Sequence, residues 1–369
     1  MKRIFQRLIL AAILHWTILC SVQGQRTRLD FIYGGVEDAE QILYEYLEPY
    51  ARIIGSDLNG GWYNTARPHK LGGLSVTASI SWARAPVSAL TYDISDLDLN
   101  GTIDPVTAEA PTIAGRQEER PVVSYTETVG TGKEKEYAVF ELPDGTGMDF
   151  FPLPMGQITV GLPLGTDVSA RFVPMIGLSD YGEIGLWGAG GMHSLSQWLP
   201  FIKRLRFLDV GLQGGYTRVT SSLHVLVEPQ EIVEVNPQPM FNWDDQFVVQ
   251  KVEGWTVNLI ASQTLPVVTF YQGIGYASSL VEVLAEGHYP VQTVIESEGE
   301  WKITYEIVND PVAMKFENFN NLRINAGARI KLGVFTFHYD FTHTCYPTHT
   351  VGIGFSFREE PGIYDKYYR

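Results

Sequence analysis

The sequence predicts an all-β protein: an antiparallel transmembrane β-barrel of 12–14 strands, with an N-terminal helix as plug or rim cover. Two patterns carry this prediction, namely long segments in which apolar and polar residues alternate, and connections that alternate between short and long. The composition agrees, because 36 of 369 residues are glycine and charged residues make up 19%, below the roughly 25% of soluble domains. Such a composition excludes a disordered chain and a coiled coil.

Residues 1–24 have the three parts of a secretory signal peptide. A basic region ends at Arg7, an apolar run covers residues 8–19, and Gly24 offers a small residue for cleavage. The apolar run is too short to span a bilayer well. Cleavage would leave Cys345 as the single cysteine, so the exported chain would have no intramolecular disulfide.

One amphipathic helix is predicted before the strands begin, over residues 36–58. Its apolar face contains Ile42, Tyr46, Tyr50 and Ile53, which recur at the three-to-four spacing of a helix. We predict that this helix plugs the barrel or covers its rim.

From residue 71 onward the pattern changes to a period of two, most clearly near the C-terminus. Between residues 321 and 344, one face carries Ile, Leu, Phe and Ala, and the other carries Arg, Lys, Asn, His and Asp. A soluble sandwich would turn the apolar face inward, whereas a membrane barrel would turn it outward to lipid. The period alone leaves both arrangements open.

The connection lengths favour the barrel. Twelve predicted strands are joined alternately by short turns, as at residues 163–165 and 332–333, and by longer loops, as at 85–155 and 221–246. Short periplasmic turns and long extracellular loops are typical of outer-membrane barrels. The even strand number places both termini on the periplasmic side, and a hairpin inside the first long loop would raise the count to fourteen.

The polar faces of the last strands supply candidate lumen residues. These are Arg323, Arg329, Lys331, His338 and Asp340. We expect a polar, wet lumen, and we expect the acidic face of the helix, including Glu45 and Glu48, to pair with the basic side chains.

A second, short helix is predicted over residues 195–205. There Trp198 would lie at headgroup depth and Lys203 would meet lipid phosphates, as in an interfacial anchor. A helix that closes the periplasmic rim fits the same residues, and the two interpretations are compatible.

No catalytic or metal-binding motif is complete. Residues 96–103 match only the first half of a calcium loop, because position twelve is Thr107 instead of an acid. The histidines around the last predicted turn have no compact ligand spacing. His193 and Ser194 are adjacent on a strand, so they point to opposite faces and cannot pair as base and nucleophile. We therefore predict no catalytic residue, cofactor or metal.

Several short motifs stand out along the chain. They are Trp62-Tyr63-Asn64-Thr65-Ala66, Pro68-His69-Lys70, the run Gly188, Gly190, His193, Gln197, Trp198, Pro200 and Lys203, then Gly215-Tyr216-Thr217, and the closing Gly352 to Arg358. Together they resemble an uncharacterised outer-membrane protein family of Bacteroidota, a domain of unknown function, over most of the chain. In architecture alone, the chain is more loosely similar to long-chain fatty-acid transporters, in which an N-terminal segment plugs the lumen. Neither resemblance implies catalytic residues.

These observations predict four segments. They are a signal peptide at 1–24, a helical plug segment at 25–70, a barrel at 71–358 with a long extracellular loop region at 85–155, and a periplasmic tail at 359–369.

We expect the protein in the outer membrane of a Gram-negative cell, with outer-membrane lipid and the barrel assembly machinery as partners. The net charge of −15 argues against a nucleic-acid partner. The predicted function is a non-enzymatic pore or passive transporter for a small molecule, with a hydrophobic compound as the candidate. Two alternatives stay open: a structural or assembly partner at the cell surface, and a soluble exported all-β binding protein.

Overall fold

The computed structural model describes residues 34–104, 109–117, 119–130, 132–177, 182–199, 208–229, 243–297, 299–317 and 321–359. The predicted signal peptide and nearly all of the predicted tail lie outside these residues. The described helix is α1, Val36–Leu58. The described strands are β1 His69–Arg84, β2 Thr91–Asp93, β3 Thr102–Asp104, β4 Glu109–Pro111, β5 Val122–Val129, β6 Lys133–Glu141, β7 Phe150–Leu162, β8 Thr166–Gly177, β9 Gly182–Ser194, β10 Leu208–His224, β11 Phe247–Thr264, β12 Val268–Glu286, β13 His288–Ser297, β14 Glu300–Asn309, β15 Val312–Phe316, β16 Asn321–Leu332, β17 Phe335–His343 and β18 Thr348–Glu359.

Ten of the described strands form one closed antiparallel ring. Its order is β1, β7, β8, β9, β10, β11, β12, β16, β17 and β18, and β18 pairs again with β1. The pairing of β11 with β12 joins the two halves of the sheet. The predicted all-β antiparallel fold is thus confirmed.

The ring has fewer strands than the 12–14 predicted. The predicted strands at 291–297 and 300–308 exist as the hairpin β13–β14, but they pair only with each other. The hairpin in the first long loop, β5–β6, also lies outside the ring, next to β3. A hairpin within a loop has the same period of two as a ring strand, so the sequence pattern cannot separate them.

The two faces of the ring strands differ sharply in exposure. Along β17 four aromatic residues are 38–50% exposed, and the four polar residues that alternate with them are at most 6% exposed. The aromatic residues are Phe335, Phe337, Tyr339 and Phe341. An apolar face directed outward and a polar face directed into the lumen are the arrangement of a transmembrane barrel, and the reverse of what a soluble sandwich needs.

The helix α1 occupies the predicted range, Val36–Leu58. Of the predicted apolar face, Ile42 and Ile53 are almost fully buried, and Tyr46 and Tyr50 are partly buried. Within the described part of the chain, no helix is both long and apolar enough to cross a membrane.

The two rims of the ring have connections of different length. At the short-turn rim, β1 begins, β18 ends, and residues 163–165, 265–267 and 333–334 join neighbouring strands. At the long-loop rim, residues 85–149 and 287–320 join ring strands and contain the additional strands β2–β6 and β13–β15. The rim asymmetry predicted from the sequence is therefore present.

Cys345 tests which rim faces outward. It lies in the turn between β17 and β18 at the long-loop rim, is partly buried, and is 3.3 Å from Nη1 of Arg52. If the long loops are extracellular, a membrane-impermeant maleimide is expected to label Cys345 on intact cells. A Gly333→Cys variant in a Cys345→Ser background, with its cysteine at the opposite rim, is expected to react only after the outer membrane is permeabilised. The reverse result would invert the orientation.

The helix predicted over residues 195–205 is wrong in its described part. Residues 195–198 form a turn closed by a hydrogen bond from the backbone N–H of Trp198 to the carbonyl of Leu195 (3.0 Å). The Trp198 indole N–H donates to Nε2 of His193 at 3.0 Å, and the Trp198 side chain is 62% exposed. Lys203 lies outside the described residues. The contact of Trp198 with lipid headgroups stays a prediction.

Candidate functional site

The interior of the ring is filled by the last two turns of α1 and the segment after it, together residues 51–68, called here the lumen plug. Its residues contact strands on opposite sides of the ring. Asn59 donates to the carbonyl of Ser278 on β12 (3.3 Å), whereas Gln157 on β7 donates to the carbonyl of Trp62 (3.2 Å). A segment held by opposing walls lies inside the ring.

Two arginines from opposite walls hold the C-terminal end of α1. Arg171 on β8 donates to the carbonyls of Leu58 (3.0 Å) and Gly60 (2.7 Å). Arg323 on β16 donates to the carbonyl of Asn59. The end of a helix leaves carbonyls unpaired and carries the negative end of its dipole, so two buried guanidinium groups stabilise it there.

Trp62 fills the middle of the lumen by occupying space that two wall glycines leave free. A Cβ atom on Gly190 of β9 would lie 2.6 Å from the Trp62 ring, and one on Gly215 of β10 would lie 2.4 Å from it. The guanidinium of Arg171 lies 3.6 Å from the ring centroid, in a cation–π contact. Two motifs noted in the sequence, the one that contains Trp62 and the ones that contain Gly190 and Gly215, therefore contact each other in the lumen.

Below Trp62 the plug is hydrogen-bonded to the wall down to the short-turn rim. Tyr63 donates from Oη to Oδ1 of Asn325 on β16 (2.6 Å). Arg67 donates from Nη2 to Oδ2 of Asp209 on β10 (2.9 Å). These contacts fix the lower part of the plug to β16 and β10.

His69, at the start of β1, connects three strands. Its Nδ1 is 2.9 Å from Oδ2 of Asp167 on β8, and its Nε2 is 3.1 Å from Oγ of Ser356 on β18. The sequence of contacts Asp167–His69–Ser356 resembles the acid–histidine–serine arrangement of a hydrolytic triad. However, Ser356 is 3% exposed, and its single hydroxyl proton is donated to Glu359. We interpret the cluster as an anchor for the end of the plug.

The predicted lumen residues lie at different points of the interior. Arg323, Arg329, His338 and Asp340 are 1–6% exposed, and Lys331 is partly buried near the short-turn rim. Arg323 holds the helix end. Tyr271 donates to Oδ2 of Asp340 at 3.1 Å, and the His338 ring packs against the backbone of Gly352.

The expected pairing between helix glutamates and basic wall residues is wrong. Arg329 and Lys331 both pair with Glu359 at the end of β18, the latter at 2.7 Å. Glu48 pairs with Arg52 one turn along the helix. The helix presents its C-terminal carbonyls to the wall cations, and its glutamates lie above them.

Above the arginines, the side of the interior next to β7 and β9 carries apolar side chains. Ile54 and Leu58 of α1 belong to one buried cluster with Leu153 and Met155 of β7 and Leu186 of β9. The cluster continues upward into the long loops, where Ala39, Ile42, Val123, Phe140 and Phe316 pack together. The long loops and the first half of α1 therefore form a cap with its own hydrophobic core.

Residues 96–103, which match the first half of a calcium loop, are hydrogen-bonded to α1 through Asn100 and Gly101. Asp38, in the first turn of α1, is 1% exposed and accepts hydrogen bonds from N and Nδ2 of Asn100 (both 2.8 Å). It also accepts from N of Gly101 (3.2 Å) and from Oη of Tyr125 (2.9 Å). Among the described residues, no three His, Cys, Asp or Glu side chains are grouped as metal ligands.

In the upper half of the wall β7 and β8 are not paired with each other, and this unpaired stretch is called here the open seam. The two strands share six residue pairs, which start at the turn and end at Gln157–Arg171. Beyond that point β7 continues to Phe150 and β8 to Gly177, and each pairs only with its other neighbour. Every other described seam of the ring has at least eight pairs.

Three prolines explain the open seam. Pro152 and Pro154 lie in the unpaired part of β7, and Pro174 lies in that of β8. Proline has no N–H to donate, so prolines at every second position leave one side of a strand without donors. The register of β7 with β1 continues through both prolines, opposite Trp82 and Ile80. The missing donors are therefore on the side that faces β8.

No curated protein matches this chain in sequence. The chain is weakly similar to the outer membrane transporter YddB from Escherichia coli (9% identity, TM-score 0.25), with 79% of this chain and 44% of that chain covered. It is similar to the transport unit of the autotransporter AIDA-I from Escherichia coli (6% identity, TM-score 0.17), with 85% of this chain and 98% of that chain covered. It is also similar to the toluene transporter TodX from Pseudomonas putida (8% identity, TM-score 0.15), with 84% of this chain and 97% of that chain covered. The chain spans less than half the length of YddB.

The model of a family of unknown function, DUF6588, matches residues 1–357. The match includes the plug, the open seam and nearly all of β18. It also includes Gly190 and Gly215, which form the glycine cradle around Trp62. The chain therefore belongs to the family of unknown function DUF6588.

Proposed function

We propose that this protein is a non-enzymatic barrel of the Gram-negative outer membrane that lets a small hydrophobic molecule move between the membrane and the barrel interior. The observation that carries the proposal is the open seam between β7 and β8, which borders the apolar side of the upper lumen. Outer-membrane lipid surrounds the ring in this proposal, and the barrel assembly machinery inserts it.

The surfaces on both sides of the seam are apolar. On the outer face, Phe150, Phe172 and Met175 are 43%, 65% and 54% exposed. On the inner face, Leu153 and Met155 are at most 4% exposed and pack against α1. A hydrophobic molecule that crosses here leaves lipid for an apolar lining and is never transferred into water, which removes the main free-energy barrier.

The straight path from rim to rim is closed by the lumen plug. Arg171 and Trp62 occupy the middle of the lumen, and the cap of long loops covers the upper end. Ions and polar solutes therefore have no open route, which distinguishes this proposal from a general porin. A resting barrel is expected to show low ion conductance.

The seam is tested by giving it hydrogen-bond donors. In a Pro152→Val/Pro154→Val/Pro174→Val variant, the restored N–H groups allow β7 and β8 to pair further and narrow the opening. We expect cells that produce the variant to take up the hydrophobic dye 1-N-phenylnaphthylamine more slowly than cells with the unchanged protein, toward the rate of cells that lack it.

The matched control is Pro163→Val, a proline of the same hairpin at its exposed turn, outside the seam. It is expected to leave dye uptake unchanged. If the triple variant is present in the outer membrane at the normal level and takes up dye at the normal rate, passage through the seam is wrong. The alternative of a structural or assembly partner at the cell surface, for which the packed cap would be the docking element, would then be favoured.

A further inference from the structure

We infer that the chain is threaded through its own barrel, from the long-loop rim down to the short-turn rim, so that the first turn of α1 lies on the outer face of the membrane. The inference rests on the proposed outer-membrane location and on extracellular long loops. It places the start of α1 on the side of the membrane opposite to the periplasmic side that the sequence predicts for the N-terminus.

The first half of α1 is held by residues of the long-loop rim. Tyr125 of β5 bonds to Asp38 in the first helical turn. Six residues later Tyr44 stacks on Phe316 of β15, with ring centroids 4.8 Å apart. Tyr46 donates to the carbonyl of Asp144 at 2.9 Å. All of these partners belong to the connections 85–149 and 287–320.

The rest of the segment descends through the lumen in chain order. A Cβ atom on Gly60 would lie 2.8 Å from Oγ of Ser81, near the upper end of β1. Trp62 lies at the level of Gly215, halfway down β10. Arg67 bonds to Asp209, the second residue of β10, which is at the short-turn rim. The polypeptide therefore passes the ring from one rim to the other.

The length of α1 excludes an entry from the short-turn rim. Its 23 residues extend about 35 Å, and its last residue, Leu58, is already inside the upper half of the ring. Its first residue consequently lies far above the long-loop rim, in the cap. Since β1 starts directly below the plug, the plug remains covalently tied at the short-turn rim.

Single cysteines in a Cys345→Ser background test the threading. The variants are Glu40→Cys on the exposed face of α1, Lys133→Cys on the cap hairpin, and Val334→Cys in a short turn, all at solvent-exposed positions. An impermeant maleimide is expected to label the first two on intact cells. Val334→Cys is expected to react only after permeabilisation. Each variant is first checked for the folded barrel by its altered gel migration before boiling.

Protection of Glu40→Cys on intact cells while Lys133→Cys is labelled would overturn the inference, because the helix would then not share a side with the cap. Labelling of Val334→Cys on intact cells would overturn it as well, since the short-turn rim would then face outward. Dye uptake through the seam depends on neither result. A failed labelling experiment therefore leaves the proposed function standing, and unchanged dye uptake in the proline variant leaves the threading standing.

Discussion

A Gly215→Ala substitution is expected to destabilise the barrel strongly or to expel the plug. The added Cβ would lie 2.4 Å from the Trp62 ring, a distance that requires the ring or the strand to move. Trp62 is enclosed on its other faces by Gly190 and by the guanidinium of Arg171, so it has little room to shift. Overpacking of this kind typically costs about 1–3 kcal/mol.

The measurement is the urea or temperature midpoint at which the compact, fast-migrating gel species is lost. Gly214→Ala is the matched control, because the nearest atom to its new Cβ is 3.8 Å away, an ordinary van der Waals contact. In a Gly215→Ala/Trp62→Ala variant the clash is absent, so the double variant is expected to be more stable than additivity of the single effects predicts. Equal midpoints for Gly215→Ala and Gly214→Ala would show that Trp62 does not occupy the cradle.

The strands and the helix were predictable because each has a local pattern. The period of two in β16 to β18 and the period of 3.6 in α1 are readable within about ten residues. The outward direction of the apolar face could be recognised only from the closed ring, because the strands of a soluble sandwich have the same period of two. The number of ring strands also needed the pairings, since β13 and β14 carry a strand pattern without joining the ring.

The site was less predictable, because its contacts join distant parts of the chain. Trp62 and Gly190 each belong to a noticeable motif, but only the folded ring shows that one fills the space left by the other. Arg171 was missed, although an arginine among the small and apolar residues of a strand is a usable signal for a buried polar partner. Pro152 and Pro154 were assigned to the long loop. Their spacing of two was the available sign of a strand with one unpaired side.

Removing the plug is expected to convert a closed barrel into a conducting one. The helix alone is not the whole barrier, because Trp62 and Tyr63 lie below it in the lumen and are bonded to the wall. A deletion of residues 36–58 is therefore expected to raise the conductance in planar bilayers only slightly. A deletion of residues 36–66 also removes Trp62 and is expected to leave a water-filled lumen lined by Arg171 and Arg323, with a large increase in conductance.

The comparison of the two deletions separates the effect of the plug on conductance from the effect of the cap. Both remove the same part of the hydrophobic cluster in the long loops, since α1 is absent from each, so any loosening of the cap is common to both. The additional conductance of the longer deletion then belongs to residues 59–66. Both variants must first show the compact gel species before boiling, which establishes that the ring has formed. If the two folded variants conduct equally, the segment around Trp62 is not a barrier. If both remain as closed as the unchanged protein, the cap of long loops closes the barrel, and the role assigned to the lumen plug is wrong.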